Sequence, residues 1–324
     1  MLPRLLKQEG RFGIEIEVEG SNLAIPHHNR YWKQEQDGSL RPRPECIEYV
    51  FLRPLSFPDS LTALGWLNAQ HRNNESQLNW SFRCSTHVHL NVQEMEVSHL
   101  FRLVYLYYIF ENLLVKWSGE EREGNRFCLR LADSAEIPIQ IRNIFQGNLR
   151  PIEENQIRYS ALNLASLRKY GSIEFRSLNG TTDRERITKW LTIINKLDEY
   201  SAKAKDIETL FKEATENLNE MGARVFGEAL FKELYFSGWE FSSLYNISLC
   251  INFFETYNEV LQNDANYHEQ LQQRQREREA LERIHQEVAR AQEQRKPAEA
   301  PRKRRGAELG AAEFVRAFAQ ADHE

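Results

Sequence analysis

Phe12-Gly13-Ile14-Glu15-Ile16-Glu17-Val18-Glu19, preceded by Arg11, alternates apolar and acidic residues without a break once Gly13 is passed. Side chains two apart on a strand point the same way, about 6.6 Å from one another. Phe12, Ile14, Ile16 and Val18 therefore share one face, and Glu15, Glu17 and Glu19 share the other. A period of two is the signature of a half-buried strand and argues against a helix. Three like charges in line are unfavourable on a strand unless something neutralises them. The acidic face is then either an ordinary solvated surface or a row of carboxylates gathered for a cation.

Working outward, Asp37-Gly38 is a turn signal, and Ser39 to Phe51 reads as a strand of a hairpin. It carries Glu48 between Ile47 and Tyr49. Asn79 to Val92 returns to strand, with Ser85, His87, His89 and Asn91 on one face and Thr86, Val88 and Leu90 on the other. Ile157 to Leu164 and Gly171 to Leu178 read as a further pair joined by a loop containing Lys169-Tyr170-Gly171. In the last of these, Glu174 and Arg176 share a face opposite Ile173 and Phe175. Leu61, Leu64, Leu67 and His71 recur at helical spacing, and Val97 to Trp117 predicts a long helix. Thr182 with Glu185 reads as a capping box ahead of Ile187, Trp190, Leu191, Ile194 and Leu197. Helices are expected over about 206–221, 224–236 and 243–263.

The whole reads as an α+β chain, strand-rich over 1–182 and helical over 183–263, followed by a charged, partly helical or flexible tail over 264–324. Its 324 residues suffice for a sizeable core, and with 41% hydrophobic and 11% aromatic residues it is no disordered chain. With 42 Lys and Arg against 47 Asp and Glu, a generic nucleic-acid binder is excluded. Cys46, Cys84, Cys128 and Cys250 are too scattered for a disulfide framework and read as reduced thiols. Arg102, Glu111, Asn112 and Lys116 interrupt the most apolar stretch, Leu100 to Trp117, which argues for a buried helix rather than a membrane span. The first residues lack the apolar run of a signal peptide, so a cytoplasmic protein is expected. Residues 271–305 hold eleven Arg and Lys against six Glu, then Pro297, Pro301 and Lys303-Arg304-Arg305 mark a linker, with a small helix expected over Glu313 to Gln320. Such a tail is a solvated helix with a flexible linker, a docking segment for a partner protein or, least expected, a nucleic-acid contact.

Glu15, Glu17, Glu48 and Glu174 with a His-x-His pair, and with Arg176, Arg158 and Arg122 as convergent cations, form one inventory. Carboxylates with imidazole and no thiolate suit Mg2+ or Mn2+. Arginines beside such cations suit a polyphosphate. No GxxxxGK[ST] or GxGxxG loop is present, so a nucleotide would be held by cations and arginines on a sheet.

The order Phe12-Gly13-Ile14-Glu15-Ile16-Glu17, Asp37-Gly38-Ser39-Leu40 with Glu48-Tyr49-Val50, His87-Val88-His89, Arg158-Tyr159 with Leu162-Asn163, and Ser172-Ile173-Glu174-Phe175-Arg176 resembles the amidoligase family. These are carboxylate–amine ligases related to glutamine synthetase and γ-glutamylcysteine synthetase, and the resemblance spans about residues 11–200. It implies a glutamine-synthetase-like curved antiparallel sheet packed with helices, and an ATP-dependent amide-forming reaction through an acyl phosphate. By the same resemblance Glu15, Glu17, Glu48, His87 and Glu174 bind the divalent metals, and His89 stands nearer nucleotide or substrate. Arg176 binds phosphate with Arg158 assisting, Arg122 is a further cofactor-side arginine, and Glu19 has no family role. The substrates implied are small-molecule or peptide carboxylates and amines, acted on in the cytoplasm, or in the host cytoplasm for a phage-encoded copy. The residues leave two other readings open: a noncatalytic scaffold or virion-type protein whose basic tail docks a partner, and a phosphotransferase on the same fold.

Overall fold

The computed structural model describes residues 7–27, 29–41 and 44–251, with single helical positions at 259, 273, 276, 279 and 283. Two compact units divide the chain, Met1–Asn263 and Asp264–Glu324. In the second, the described Gln273, Arg276, Glu279 and Arg283 are helical and exposed, with Arg283 3.8 Å from Glu279 one turn away. The expected linker, the Lys303-Arg304-Arg305 run and the terminal helix lie outside the described residues.

The first unit is a mixed α and β structure built on an antiparallel sheet. Its strands are β1 (Phe12–Ser21), β2 (Trp32–Glu35), β3 (Glu45–Phe51), β4 (Gln77–Asn79), β5 (Thr86–Asn91), β6 (Leu162–Asn163) and β7 (Ser172–Phe175). They lie in the order β2-β3-β1-β5-β7-β6, with β4 pairing a further stretch of β1. The acidic strand is therefore central. The hairpin signalled by Asp37-Gly38 exists, but β3 begins only at Glu45 and pairs with Trp32–Glu35.

One face of the sheet is mainly apolar. Phe12, Ile14, Ile16 and Val18 are buried beside Tyr49 and Phe51 of β3, Val88 and Leu90 of β5, and Ile173 and Phe175 of β7. Each such side chain contributes about 2 kcal/mol when buried. Three helices cover this face: α1 (Phe57–Asn73), α2 (Val97–Ser118) and, following the two short helices α3 (Glu136–Phe145) and α4 (Arg150–Glu153) and the single turn α5 (Ser166–Tyr170), α6 (Arg184–Lys203). Trp32 Nε1 donates to the Ala63 carbonyl of α1 at 2.9 Å. Tyr107 of α2 meets the Phe175 ring edge-on at 5.5 Å, and Trp190 of α6 stacks on Trp117 at 5.9 Å. Because α2 is surrounded, it is apolar on nearly every side, and even Glu111 on it is buried.

The start of α6 corrects the expected capping box. Asp183, not Thr182, caps it, accepting from the backbone of Glu185 and Arg186. The stretch expected as one helix over 206–221 is two, α7 (Ile207–Glu216) and α8 (Leu218–Phe226), split at Asn217, whose side chain caps the second. Then follow α9 (Glu228–Leu234) and a helical run over 239–251. The loop expected around Lys169 is the turn α5, ended by Gly171 at φ 66°, a left-handed conformation that lets β7 begin one residue later. Of the strand expected over 157–164, residues 157–159 are turn, Ser160 makes an isolated bridge to Leu129, and only Leu162–Asn163 join the sheet. No described helix is long and apolar enough to cross a membrane.

Candidate active site

The other face of the sheet collects the polar residues, and register decides which of them meet. Glu15 lies opposite His87, and Gly13 opposite His89. His89 in turn lies opposite Glu174, Glu174 opposite Asn163, and Glu17 opposite Glu48. Four strands thus set Glu48, Glu15, Glu17, His87, His89, Glu174 and Arg176 on one face.

Their side chains are tied together. His87 Nδ1 stands 3.3 Å from Glu15 Oε2 and 3.3 Å from Glu174 Oε1. His89 Nε2 stands 3.2 Å from Glu15 Oε1, close enough for charge attraction but out of line for a hydrogen bond. Arg176 Nη1 donates to Glu174 Oε1 at 2.5 Å, and Asn163 Nδ2 to Glu174 Oε2 at 2.7 Å.

A second chain of bonds fixes His87 from behind. The Ser85 hydroxyl donates to Glu17 Oε2, which also accepts the Ser85 backbone N–H at 2.9 Å. With its one proton given away, Ser85 Oγ accepts from His87 Nε2 at 2.6 Å. In neutral His87 the lone pair then sits on Nδ1, aimed at two carboxylates. That arrangement is repulsive unless a proton or a cation stands between them, and it matches the outer hydrogen bond that orients a metal-binding imidazole.

The charges respond as the geometry requires. Burial raises the Glu15 carboxyl, but the adjoining His89 and His87 outweigh it and hold the group well below the usual range. Glu174 is likewise lowered, burial being outweighed by Arg176 and then the two imidazoles. His89 is raised, its burial outweighed by Glu15 and Glu174. Glu17 and Glu48 go the other way. Burial pushes Glu17 up against the opposing pull of His87, Ser85 and Arg176, while burial and then Glu15, Glu17 and Asp37 raise Glu48 to about 8.

Three donor sets within this face could hold a cation: Glu15 with His89 and Glu174, Glu15 with Glu48 and His87, and Glu17 with Asp37 and Glu48, the donor atoms of each lying within 4.8 Å of one another. The donor chemistry, carboxylate oxygen with imidazole, fits Mg2+ or Mn2+. Asp37 was missed in the sequence as a donor, being read only as a turn residue. Its signal is the pairing of its hairpin with Glu48, two residues beyond Glu35 in register.

Arg122 and Arg158 are not brought to this cluster. Arg122 is fully buried, donating to the carbonyls of Ser177 at 3.1 Å and Arg176 at 2.8 Å. It braces the strand end that carries Arg176, correcting its expected place at a cofactor. Arg158 is exposed on a turn, its guanidinium 5.4 Å from the Tyr159 ring centre. Glu19 is buried and accepts the Arg41 N–H at 3.1 Å, a local structural role.

A central antiparallel strand of carboxylates, flanked by paired histidines and an Arg–Glu strand, makes a sheet face whose donor sets could hold a cation. Residues 54–197 match the family described as putative amidoligase enzyme. The match agrees with the resemblance that the motifs within this segment carry, and suggests activity of ligase type. The matched segment contains His87, His89, Glu174 and Arg176, while β1 and β3 precede it. No curated protein matches the chain.

Proposed function

We propose that the protein is an ATP-dependent carboxylate–amine ligase on a glutamine-synthetase-like sheet, with Mg2+ or Mn2+ held by Glu15, Glu17, Glu48, His87 and Glu174. The observation that carries this reading is the placement of His87, with Nδ1 3.3 Å from both Glu15 and Glu174 and Nε2 on the Ser85–Glu17 chain behind it. Divalent cations, when bound, supply the positive charge that lets an anionic carboxylate approach an anionic phosphate.

The residues of the chain set the rest. Asn163 and Arg176 fix both oxygens of Glu174, and Ser85 fixes Glu17, so the donors are placed before any ligand arrives. Arg176 Nη2 makes no hydrogen bond among the described residues, which leaves it for a phosphoryl oxygen. His89, steadied by Ser172 Oγ at 3.0 Å, stands at the edge of the cluster where substrate enters. The substrate carboxylate takes the γ-phosphoryl group to become an acyl phosphate, with ADP leaving. The amine then attacks the acyl carbon, phosphate departs, the amine proton is lost, and the amide remains.

Calorimetric titration of MgATP into wild type, Glu17→Gln and Glu174→Gln tests this. Mg2+-dependent binding in wild type, lost in both folded variants, is expected. No binding by wild type with either Mg2+ or Mn2+ would overturn the reading. Amide with ADP and phosphate is the expected product set, whereas a stable phosphorylated product would indicate a phosphotransferase.

A further inference from the structure

Beside the cluster, on the side of Gly13, lies a cavity of about 470 Å3, the size of a small-peptide site. Gly13 is part of its lining, and a β-carbon there would stand 3.3 Å from His89 Cβ. The missing side chain keeps a way open from the cavity to His89 and Glu15. Leu52 and Tyr170, each about half exposed, add apolar surface, and the Tyr170 ring meets His89 edge-on at 5.5 Å.

The rim is cationic. Lys33 is paired with Glu35, but Arg53 and Lys169 make no ion pair among the described residues, and the Lys169 ammonium stands 4.6 Å from the Tyr170 ring centre. A ligase must admit two co-substrates of opposite charge near neutral pH, an anionic carboxylate and a cationic amine. Two cations held in no ion pair among the described residues attract the first and repel the second. With the nucleotide held at the metal-binding carboxylates and Arg176, and the carboxylate to be activated at Glu15 and His89 at the inner end, the rim cations are matched by a second anionic group on the same molecule.

Resting on the ligase reading, we propose that this cavity takes the carboxylate substrate and selects a diacid, its apolar stem against Leu52 and Tyr170 and its outer anion at Arg53 and Lys169.

The test titrates three probes into the full chain with Mg2+ present, followed by ligand-observed NMR. They are N-acetyl-alanyl-glutamate, which is a diacid, N-acetyl-alanyl-glutamine, which has one carboxylate, and N-acetyl-alanyl-lysine amide, which is a cation. The diacid is expected to bind about tenfold more tightly than the monoacid, with the cation weakest. The exposed double variant Arg53→Ala/Lys169→Ala, and separately 0.5 M salt (roughly a 4 Å screening length), should bring diacid and monoacid to near equality. Leu52→Asp should weaken both. Equal affinity of the two acids for wild type, binding of neither, or tighter binding of the lysine probe overturns the inference. So does loss of MgATP affinity in the double variant, which would give the cavity to the nucleotide. Diacid selection by a wild type that binds no MgATP would instead remove the ligase reading and leave the cavity assignment standing.

Discussion

Glu111 is a carboxyl in the wrong solvent, and replacing it with glutamine should stabilise the protein by an amount that pH controls. It is fully buried on α2. Oε2 accepts from the Leu131 backbone at 2.7 Å and from Asn246 at 3.4 Å, while Oε1 has no partner among the described residues. Burial, only partly offset by the Leu131 N–H and Arg130, raises the group to about 8. In the unfolded chain it returns to the ordinary 4.5. The folded form therefore holds a proton that the unfolded form releases, and the stability this group permits below pH 4.5 is lost as pH rises towards 8. At about 1.4 kcal/mol per unit, the penalty is roughly 1 kcal/mol at pH 5, roughly 3 at pH 7 and levels near 5 above pH 8. Glu111→Gln keeps the oxygen that Leu131 and Asn246 use and never ionises. Urea unfolding of both proteins at pH 5, 6, 7 and 8, followed by far-UV circular dichroism, isolates the effect, because every other titration cancels in the difference. A stability gain rising by about 1.4 kcal/mol per pH unit is expected. A difference that stays flat across that range refutes the assignment of a neutral buried Glu111, whatever its absolute size.

The mirror case is His71, which burial lowers to about 4. Neutral when folded, it should cost stability as pH falls from about 6.5 to 4, at about 1.4 kcal/mol per unit, and His71→Gln should flatten that acid limb in the same urea series. Ser85→Ala breaks the bond chain from Glu17 to His87 and should weaken Mg2+ affinity about 10- to 100-fold, read by calorimetry, with little change in fold. Trp190→Ala, removing a fully buried ring against Phe175 and Trp117, should cost about 3–5 kcal/mol of unfolding free energy. Deleting 271–324 should leave MgATP affinity unchanged by calorimetry, since every residue of the candidate site lies in the Met1–Asn263 unit.

Much of the site was legible because strands expose it. A period of two sorts Glu15 from Ile16, His87 from Val88 and Glu174 from Phe175 whatever those strands pair with. The expectations that failed are those in which a side chain's direction depended on what surrounded it. Arg158 was expected on a strand and sits on a turn, since only Leu162–Asn163 of that stretch joined the sheet. Arg122 was expected at a cofactor, yet two backbone carbonyls claim it in the interior. Three helices between α2 and β7 went unread: α4 and α5 are too brief for a period to register, and in α3 the run Ile137, Ile139, Ile141 alternates as a strand would.

The sequence by itself determined the two-faced central strand, the families of residues on each face and the amidoligase motifs, because alternation and motif order are local properties of the chain. Only the tertiary structure decided that Glu15 stands between two histidines, that Asp37 joins Glu17 and Glu48, and that a cavity with unpaired cations adjoins Gly13. Those facts follow from strand order and register, which are fixed by burying the opposite, apolar face of the sheet beneath α1, α2 and α6.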